Sequence, residues 1–477
     1  VIPLALTEIA QITGGEVAPG AGGVVAAGPV VIDSRAVTPG ALFVALRGER
    51  ADGRHFAAAA VAAGAAGVLA ERPLDDPGLP AVVVDDAVAA LGGLARGVLA
   101  RLPQVTVVGV TGSAGKTSTK DLIAQVLERH GPTVAAKGSF NNEIGHPLTV
   151  LRADSGTRHL VLEMGARGVG HIAYLCRIAP PRIGAVLNVG SAHIGEFGGR
   201  EMIAKAKGEL VEALPPDGAA VLNADDPLVR AMAARTDAEV VTFGRAADAD
   251  VRAVDESLDD RGRARFTLVT PQGAVPVALR LHGSHAVGNA LAAAAVALRA
   301  GMAPEAIAAA LSQAGPVSRW RMEVEERPDG VTIVNDAYNA NPESMRAALD
   351  AVAHMARAAG GEGRAFAALG EMAELGARSV AEHEKIGQHV ARSGFAGLVA
   401  VGAAAAPLLD GARQVGSWTG ECVQVDDVGA AVTALSERLR PRDVVLVKGS
   451  RVAGMERVAQ GLLAAAGGRG ADGGADR

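Results

Sequence analysis

Short apolar runs alternate with longer Ala-rich stretches along most of the chain. Near the start the runs are VVID, ALFVAL, GVLA and AVVVDD. In the middle they are VTVVGV, HLVLEMG, IGAVLNVG and AAVLNADD, and further on VTIVNDAY, AFAALGEM, GLVAVG, ECVQVDD and DVVLVKGS. Such nearly continuous apolar runs predict strands covered on both faces rather than strands with one wet face. The Ala-rich stretches predict the helices that cover them, so the chain reads as an α/β protein on mostly parallel sheets. Many of the runs end in small or polar residues, and ligands of open parallel sheets gather outside the carboxyl ends of strands. ADVRAVDESLDDRGRARFTLVTPQGAVPVALRL alternates polar and apolar and predicts an antiparallel segment. GSHAVGNALAAAAVALRAG predicts a helix that stops at Gly301.

Pro103 punctuates the first block, and a third block opens near GPVSRWRMEV. These breaks predict an N-terminal domain over 1–103, a central domain over 104–315 and a C-terminal domain over 316–466. A length of 477 residues fits three domains at about 100–200 residues each. Residues 467–477, rich in Gly, Ala, Asp and Arg, predict a disordered tail. Hydrophobic residues make up 49% but aromatics only 3%, so the cores must be built from Val, Leu, Ile and Ala. A net charge of -6 without a long basic run argues against nucleic acid as a partner. Cys176 and Cys422 lack metal-type spacing and point to a reducing cytoplasm. The early residues have no basic region of signal-peptide type, and no apolar run reaches about 18–20 residues, so membrane insertion is not expected.

The chemistry starts at VTVVGVTGSAGKTSTKDLI. A buried strand feeds a glycine-containing turn that opens into a helix, the layout of a phosphate-holding loop. The common spacing wants a glycine at position 110, where Val110 stands instead. Gly112, Ser113, Ala114, Gly115, Lys116, Thr117 and Ser118 are the candidate nucleotide loop. Lys116 suits the β- and γ-phosphates, and the Thr117 hydroxyl suits Mg²⁺. Glu163 closes the apolar run of VLEMGARGVG, where a carboxylate is costly without a cation to bind. His193 follows another strand in a glycine-rich loop, as a ligand or as an ordinary loop histidine. Lys205 and Lys207, two apart on the expected helix REMIAKAKGELVEAL, point to different faces.

Taken together and in order, these motifs resemble the Mur ligase family of ATP-dependent amide-forming enzymes. TGSAGKTS is similar to that family's shortened loop, which accounts for the missing glycine. KGSFNNEIGHPLTV, EMGARGVGHI, NVGSAHIGEFGG, IAKAKGEL, RWRMEV, NDAYNANPESM, LGEMAELG with the later His383, and VLVKGSR also match. DSRAVTPGALFVALRGERADGRHF resembles the family's UDP-sugar-binding domain. The resemblance covers nearly the whole chain. It implies a small N-terminal α/β UDP-binding domain, a central ATPase domain with a P-loop-type parallel sheet, and a Rossmann-like C-terminal domain.

The resemblance also implies roles. Lys116 and Thr117 would hold ATP phosphates and Mg²⁺. Thr117, Glu163, His193 and Lys207 would form the metal sites, two Mg²⁺ being expected. Lys207 would be the lysine that the family carbamylates, with Lys205 as the alternative. Asn289 and Asn339 resemble adenine-side residues and Asp336 a ribose contact. Arg321 would reach the γ-phosphate, although Arg319 competes for that place in SRWR. Ser34, Arg35, Arg47 and Gly48 would face uridine, and Asn141 and Asn142 the peptide-bearing substrate. His193 and a third-domain carboxylate are the candidates for a base. NNEIG, NDAYNANPESM and LGEMAELG resemble the branch that joins D-alanyl-D-alanine to UDP-N-acetylmuramoyl-tripeptide. The implied enzyme is a cytoplasmic monomer working through an acyl phosphate in peptidoglycan precursor synthesis. Its rivals are a Mur ligase of an earlier step, a folylpolyglutamate synthase-like ligase, and a nucleotide switch without ligation.

Overall fold

The structure is a computed structural model, and it describes residues 2–48, 51–190, 194–358 and 362–468. Among the described residues three larger sheets and one two-stranded ribbon form. The first large sheet has five strands, in the order Glu16–Val17, Ala81–Val83, Gly67–Ala70, Leu42–Ala45, Val30–Val31. Its last four are parallel, and Glu16–Val17 runs antiparallel at the edge.

The second sheet has nine strands. Thr106–Thr111 lies inside it, between Ile183–Val186 and His159–Glu163, with Thr133–Ala135 beyond. On the other side follow Ala219–Asn223 and Glu239–Gly244, and then Val251–Leu258, Arg263–Thr270 and Gly273–His282. The first seven of these strands pair in parallel, while the last two pairings are antiparallel. The alternating segment is therefore antiparallel as its pattern predicts, although its first strand joins the parallel body. The third sheet runs Glu323–Glu326, Thr332–Asn335, Val444–Lys448, Ala365–Leu369, Gly397–Val401, Glu421–Val425. Only its Glu323–Glu326 edge is antiparallel.

Low aromatic content shows in the packing. Ala292 to Ala297 of helix His285–Arg299 are all fully buried, so small side chains bring this helix close to its neighbours. The helix ends as Gly301 predicts. Gly301 has φ +91°, its N–H bonds Leu298 O, and the N–H of Met302 bonds Ala297 O. The closing helix Glu456–Gly468 continues past 466, and the rest of the expected tail lies outside the described residues. No helix among the described residues is long and apolar enough to cross a membrane.

Register decides what meets at the sheet edges. Val110 pairs with Glu163, and Thr111 with Val186. The glycine turn, Glu163 and residues 187–190 therefore leave three adjacent strands at one carboxyl edge. In the third sheet Asn335 pairs with Val447 and Leu369 with Lys448, which sends residues 336, 370 and 448 out of one edge.

Candidate active site

The turn after Thr106–Thr111 is held from below before any ligand is considered. Asn188 Oδ1 accepts the N–H groups of Ser113 and Ala114 at 2.9 and 2.8 Å, and its Nδ2 donates to Ala114 O. Ser113 Oγ accepts Gly190 N–H at 2.9 Å. Gly115 sits at φ +80°, and a Cβ there would meet Asn289 Oδ1 at 2.7 Å. Glycine is needed at 115 for both backbone and space. The helix Lys116–Glu128 starts at the next residue, so its free N–H groups face the cleft.

Thr117, Glu163 and Arg321 converge. Thr117 Oγ1 donates to Glu163 Oε2 at 2.8 Å and accepts from Arg321 Nη2 at 2.9 Å. Ser139 Oγ lies 2.9 Å from the same hydroxyl. Asn141 Nδ2 donates to the other oxygen, Glu163 Oε1, at 2.7 Å. Glu163 is buried at 1% exposure, so these bonds take the place of its hydration. Lys116 Nζ donates to Gly112 O at 2.7 Å. Lys207 is buried and lines the same cleft, whereas Lys205 is exposed. The two lysines do face apart.

Charges crowd here. Burial lowers the pKa of Lys116; the Glu163 carboxylate opposes that shift and Arg321 adds to it. Burial holds Lys207 well below the usual lysine range, and the charge of Lys116 pushes the same way. Around Glu163 the Arg321 guanidinium and the Lys116 amine stand beside the free N–H groups of the helix start, a setting suited to a polyphosphate.

Arg321 comes from the C-terminal domain and Arg319 is exposed, so Arg321 is the arginine that reaches the phosphate loop. Asp336 Oδ2 accepts from Lys448 Nζ at 2.6 Å, and Oδ1 accepts from Met322 N–H at 3.1 Å. Asn289, Asp336 and Asn339 all line the cleft, whose volume is about 1000 Å³. Asn141 and Asn142 line it as well. Asn142 Oδ1 is already used on the Gly145 N–H at the start of helix Gly145–Val150. His383, matched in sequence, is a structural residue: Nδ1 donates to Ser379 O and Nε2 accepts Met372 N–H.

Ser34, Arg35, Arg47 and Gly48 do not line this cleft. They follow Val30–Val31 and Leu42–Ala45, neighbouring parallel strands of the small sheet, and so share its carboxyl edge. There Arg35 forms a forked pair with Asp33, while its side chain stays 87% exposed. His193 lies outside the described residues. Sequence reasoning missed Asn188, Ser139, Tyr338 and Lys448. Asn188 and Lys448 were readable as polar residues closing apolar runs, the signal that did find Glu163.

The donor set fits Mg²⁺. Thr117 Oγ1 and Glu163 Oε2 are hard oxygen donors 2.8 Å apart in a buried corner. Among the described residues no three His, Cys, Asp or Glu gather as a closed cage. Two protein oxygens at one corner suit a cation that keeps waters and phosphate oxygens as its other ligands.

Comparison with known proteins identifies the family. Family models match in three places: the Mur ligase family catalytic domain over residues 29–98, the Mur ligase middle domain over 110–297, and the Mur ligase glutamate ligase domain over 320–451. A relative from Mycobacterium tuberculosis, named UDP-N-acetylmuramoyl-tripeptide–D-alanyl-D-alanine ligase, is 50% identical over 97% of this chain and 98% of its own. The chain belongs to the Mur ligase family. A family member of the same name from Escherichia coli is 36% identical over 97% of this chain and 98% of its own. Among solved Mur ligases, MurF from Acinetobacter baumannii superposes with a TM-score of 0.87 at 32% identity, over 97% of this chain and 99% of that one. MurF from Thermotoga maritima in complex with ADP gives 0.80 at 32% identity, over 92% and 98%.

Proposed function

We infer that this chain is an ATP-dependent ligase. It joins D-alanyl-D-alanine to UDP-N-acetylmuramoyl-tripeptide through an acyl phosphate, giving the UDP-linked pentapeptide used in peptidoglycan synthesis. The observation that carries this reading is the meeting of Lys116, Thr117 and Glu163 with Arg321, delivered by another domain, in one cleft. A nucleotide switch can also bring an arginine from a second domain to its phosphate loop, so the dependence of ADP release on both acceptor substrates is what separates the two readings. The printed names of the relatives support the branch.

A carboxylate is a poor electrophile because it has no leaving group. In the first step an oxygen of the tripeptide's terminal carboxylate bonds to the γ-phosphorus of ATP. The bond from phosphorus to the β-bridging oxygen breaks, and ADP leaves. In the second step the amine nitrogen of the dipeptide bonds to the acyl carbon. The carbon–oxygen bond to phosphate breaks, inorganic phosphate leaves, and the amine gives up a proton to a base, for which His193 and a third-domain carboxylate are the candidates. Two anions must approach each other in the first step, so Lys116, Arg321 and the N–H groups of 112–118 offset the repulsion. Thr117 and Glu163 would hold Mg²⁺, and His193 joins them by resemblance. When bound, the cation neutralises phosphate oxygens and polarises the transferring group. Asn289 and Asn339 take the adenine side and Asp336 the ribose. Asn141 and Asn142 take the peptide, and Ser34, Arg35, Arg47 and Gly48 the uridine end. Closure of the domains keeps water from the acyl phosphate. The enzyme works as a monomer in the cytoplasm.

Lys207 is assigned as the site of a carbamate that would hold a second Mg²⁺. Only a neutral amine adds to CO₂, and burial favours the neutral amine here. The reaction forms an N–C bond, releases a proton and leaves an oxygen anion suited to a hard cation. Carbon-13 NMR of protein equilibrated with labelled bicarbonate should show a carbamate resonance that Lys207→Arg removes; a resonance unchanged in that variant would contradict the assignment. For the whole reading the test is ADP release from Mg-ATP and the tripeptide substrate, with and without D-alanyl-D-alanine. Release that needs both, with a product heavier by the dipeptide less water, is expected. Release that needs neither would mean a general ATPase or a switch.

A further inference from the structure

Arg321 crosses from one domain to the phosphate loop of another, and its reach is built by Tyr338 and Lys448, which have been given no role so far, together with Asp336. The residues on both sides of it, Trp320 and Met322, have φ of +59° and +49°. Left-handed backbone at two bulky side chains is costly and persists only where the surroundings impose it. The loop after Thr332–Asn335 supplies those surroundings. Tyr338 N–H donates to Trp320 O at 3.2 Å, and Asp336 Oδ1 accepts Met322 N–H at 3.1 Å. The two peptide groups that flank Arg321 are thus pinned by residues 338 and 336.

The side chain is held as well. The Arg321 guanidinium lies over the Tyr338 ring, 4.1 Å from its centroid. A cation so close to an aromatic face gains stabilisation that grows as water is excluded. Arg321 Nε is buried with no hydrogen-bond partner, so the ring face and Nη2 carry its fixing in the structure. One residue back, Arg451 stacks on Trp320 at 4.5 Å. Asp336 is itself anchored, because Lys448 Nζ donates to its Oδ2 at 2.6 Å and to Asn339 O at 2.8 Å. Lys448 is 2% exposed. A carboxylate has room for more than one bond per oxygen, so this anchoring leaves Asp336 able to accept from a ribose hydroxyl.

We propose that Tyr338, with the Lys448–Asp336 pair behind it, is a positioning element that presets the Arg321 guanidinium against the phosphate loop across the domain boundary. The proposal rests on the ligase reading of Arg321 given above. The ring acts through its face, so the phenol hydroxyl is not required. Arg321 serves the transferring phosphoryl group more than ground-state ATP, so loss of the bracket falls on kcat rather than on KM for ATP.

The test is a double-mutant cycle on ADP release in the complete three-substrate reaction. Tyr338→Leu should lower kcat by about ten- to hundredfold, the scale of a misplaced transition-state group, while KM for ATP changes little. Tyr338→Phe should restore the rate. In an Arg321→Ala background, Tyr338→Leu should cost nothing further, because its target is gone. The thermal midpoint of each variant shows that the fold is retained. Three results overturn the proposal: full activity in Tyr338→Leu, no rescue by Phe, or a Tyr338→Leu loss of the same size with and without Arg321. Full activity in Arg321→Ala alone would instead remove the role of Arg321 and the proposal with it, and that single variant tells the two failures apart.

Discussion

The carboxyl edge of the central sheet and that of the small N-terminal sheet are built from the same kind of strand, yet they hold charge in opposite ways. At the central edge Glu163 and Lys207 are buried and Thr117 has partners from three other segments. At the N-terminal edge Arg35 is almost fully in solvent and is satisfied locally by Asp33, two residues away. A site that moves a phosphoryl group needs fixed, partly desolvated charges, because they act without reorganising. A site that only grips one end of a long substrate can form its contacts on arrival. On the proposed roles, the phosphoryl-transfer groups are preorganised and the uridine contact at Arg35 is not.

Substitutions should separate the two regions. Lys116→Ala removes a fixed cation from the phosphates, and kcat should fall by about a thousandfold; a fall under about tenfold would erase the contrast. Glu163→Gln keeps the shape and removes the charge. It should cost about a hundredfold in turnover and raise the Mg²⁺ concentration needed for half-maximal rate; an unchanged Mg²⁺ requirement would sever Glu163 from the metal.

Enclosure at the central edge also has a pH signature. His146 is fully buried, and burial pulls its pKa from 6.5 down to about 4, against weaker pulls from the carbonyls of Glu163 and Leu175. Below about pH 6.5 the unfolded chain takes up this proton while the folded chain does not. Stability should therefore fall as pH drops from 6.5 to about 4, by about 3 kcal/mol from this residue. Denaturant titrations of wild type and His146→Leu should show a flatter dependence in the variant; parallel curves would mean that the histidine is not enclosed. The smallest effect belongs to the exposed edge. Arg35→Ala should raise KM for the UDP-linked substrate by about fivefold with kcat unchanged. A kcat loss there would show that the uridine end does more than bind.

Much of this was legible in the chain because it is written locally. The apolar runs give the parallel strands, and Gly-Lys-Thr after a buried strand gives the phosphate loop. Most of what was missed is written elsewhere. Glu323–Glu326 is an edge strand whose residues EVEE carry little apolar signal. Glu239–Gly244, EVVTFG, carries a β-branched and aromatic strand signal that was passed over. That Arg321 meets the phosphate loop came from the resemblance alone, since its bond to Thr117 joins positions 204 apart, and its stacking on Tyr338, which was missed, depends on two strands pairing. Neither has a local pattern. Asn188 was passed over because a polar residue that ends a strand reads alike whether it binds a ligand or props a loop.

The central claim is that the tripeptide's carboxylate is phosphorylated in the cleft. It is tested most directly with oxygen-18 in that terminal carboxylate. After one turnover with unlabelled ATP and D-alanyl-D-alanine, the released phosphate should carry one labelled oxygen, because the attacking oxygen leaves with phosphorus. Phosphate free of label, with the oxygen displaced on amide formation found in water instead, would contradict the account.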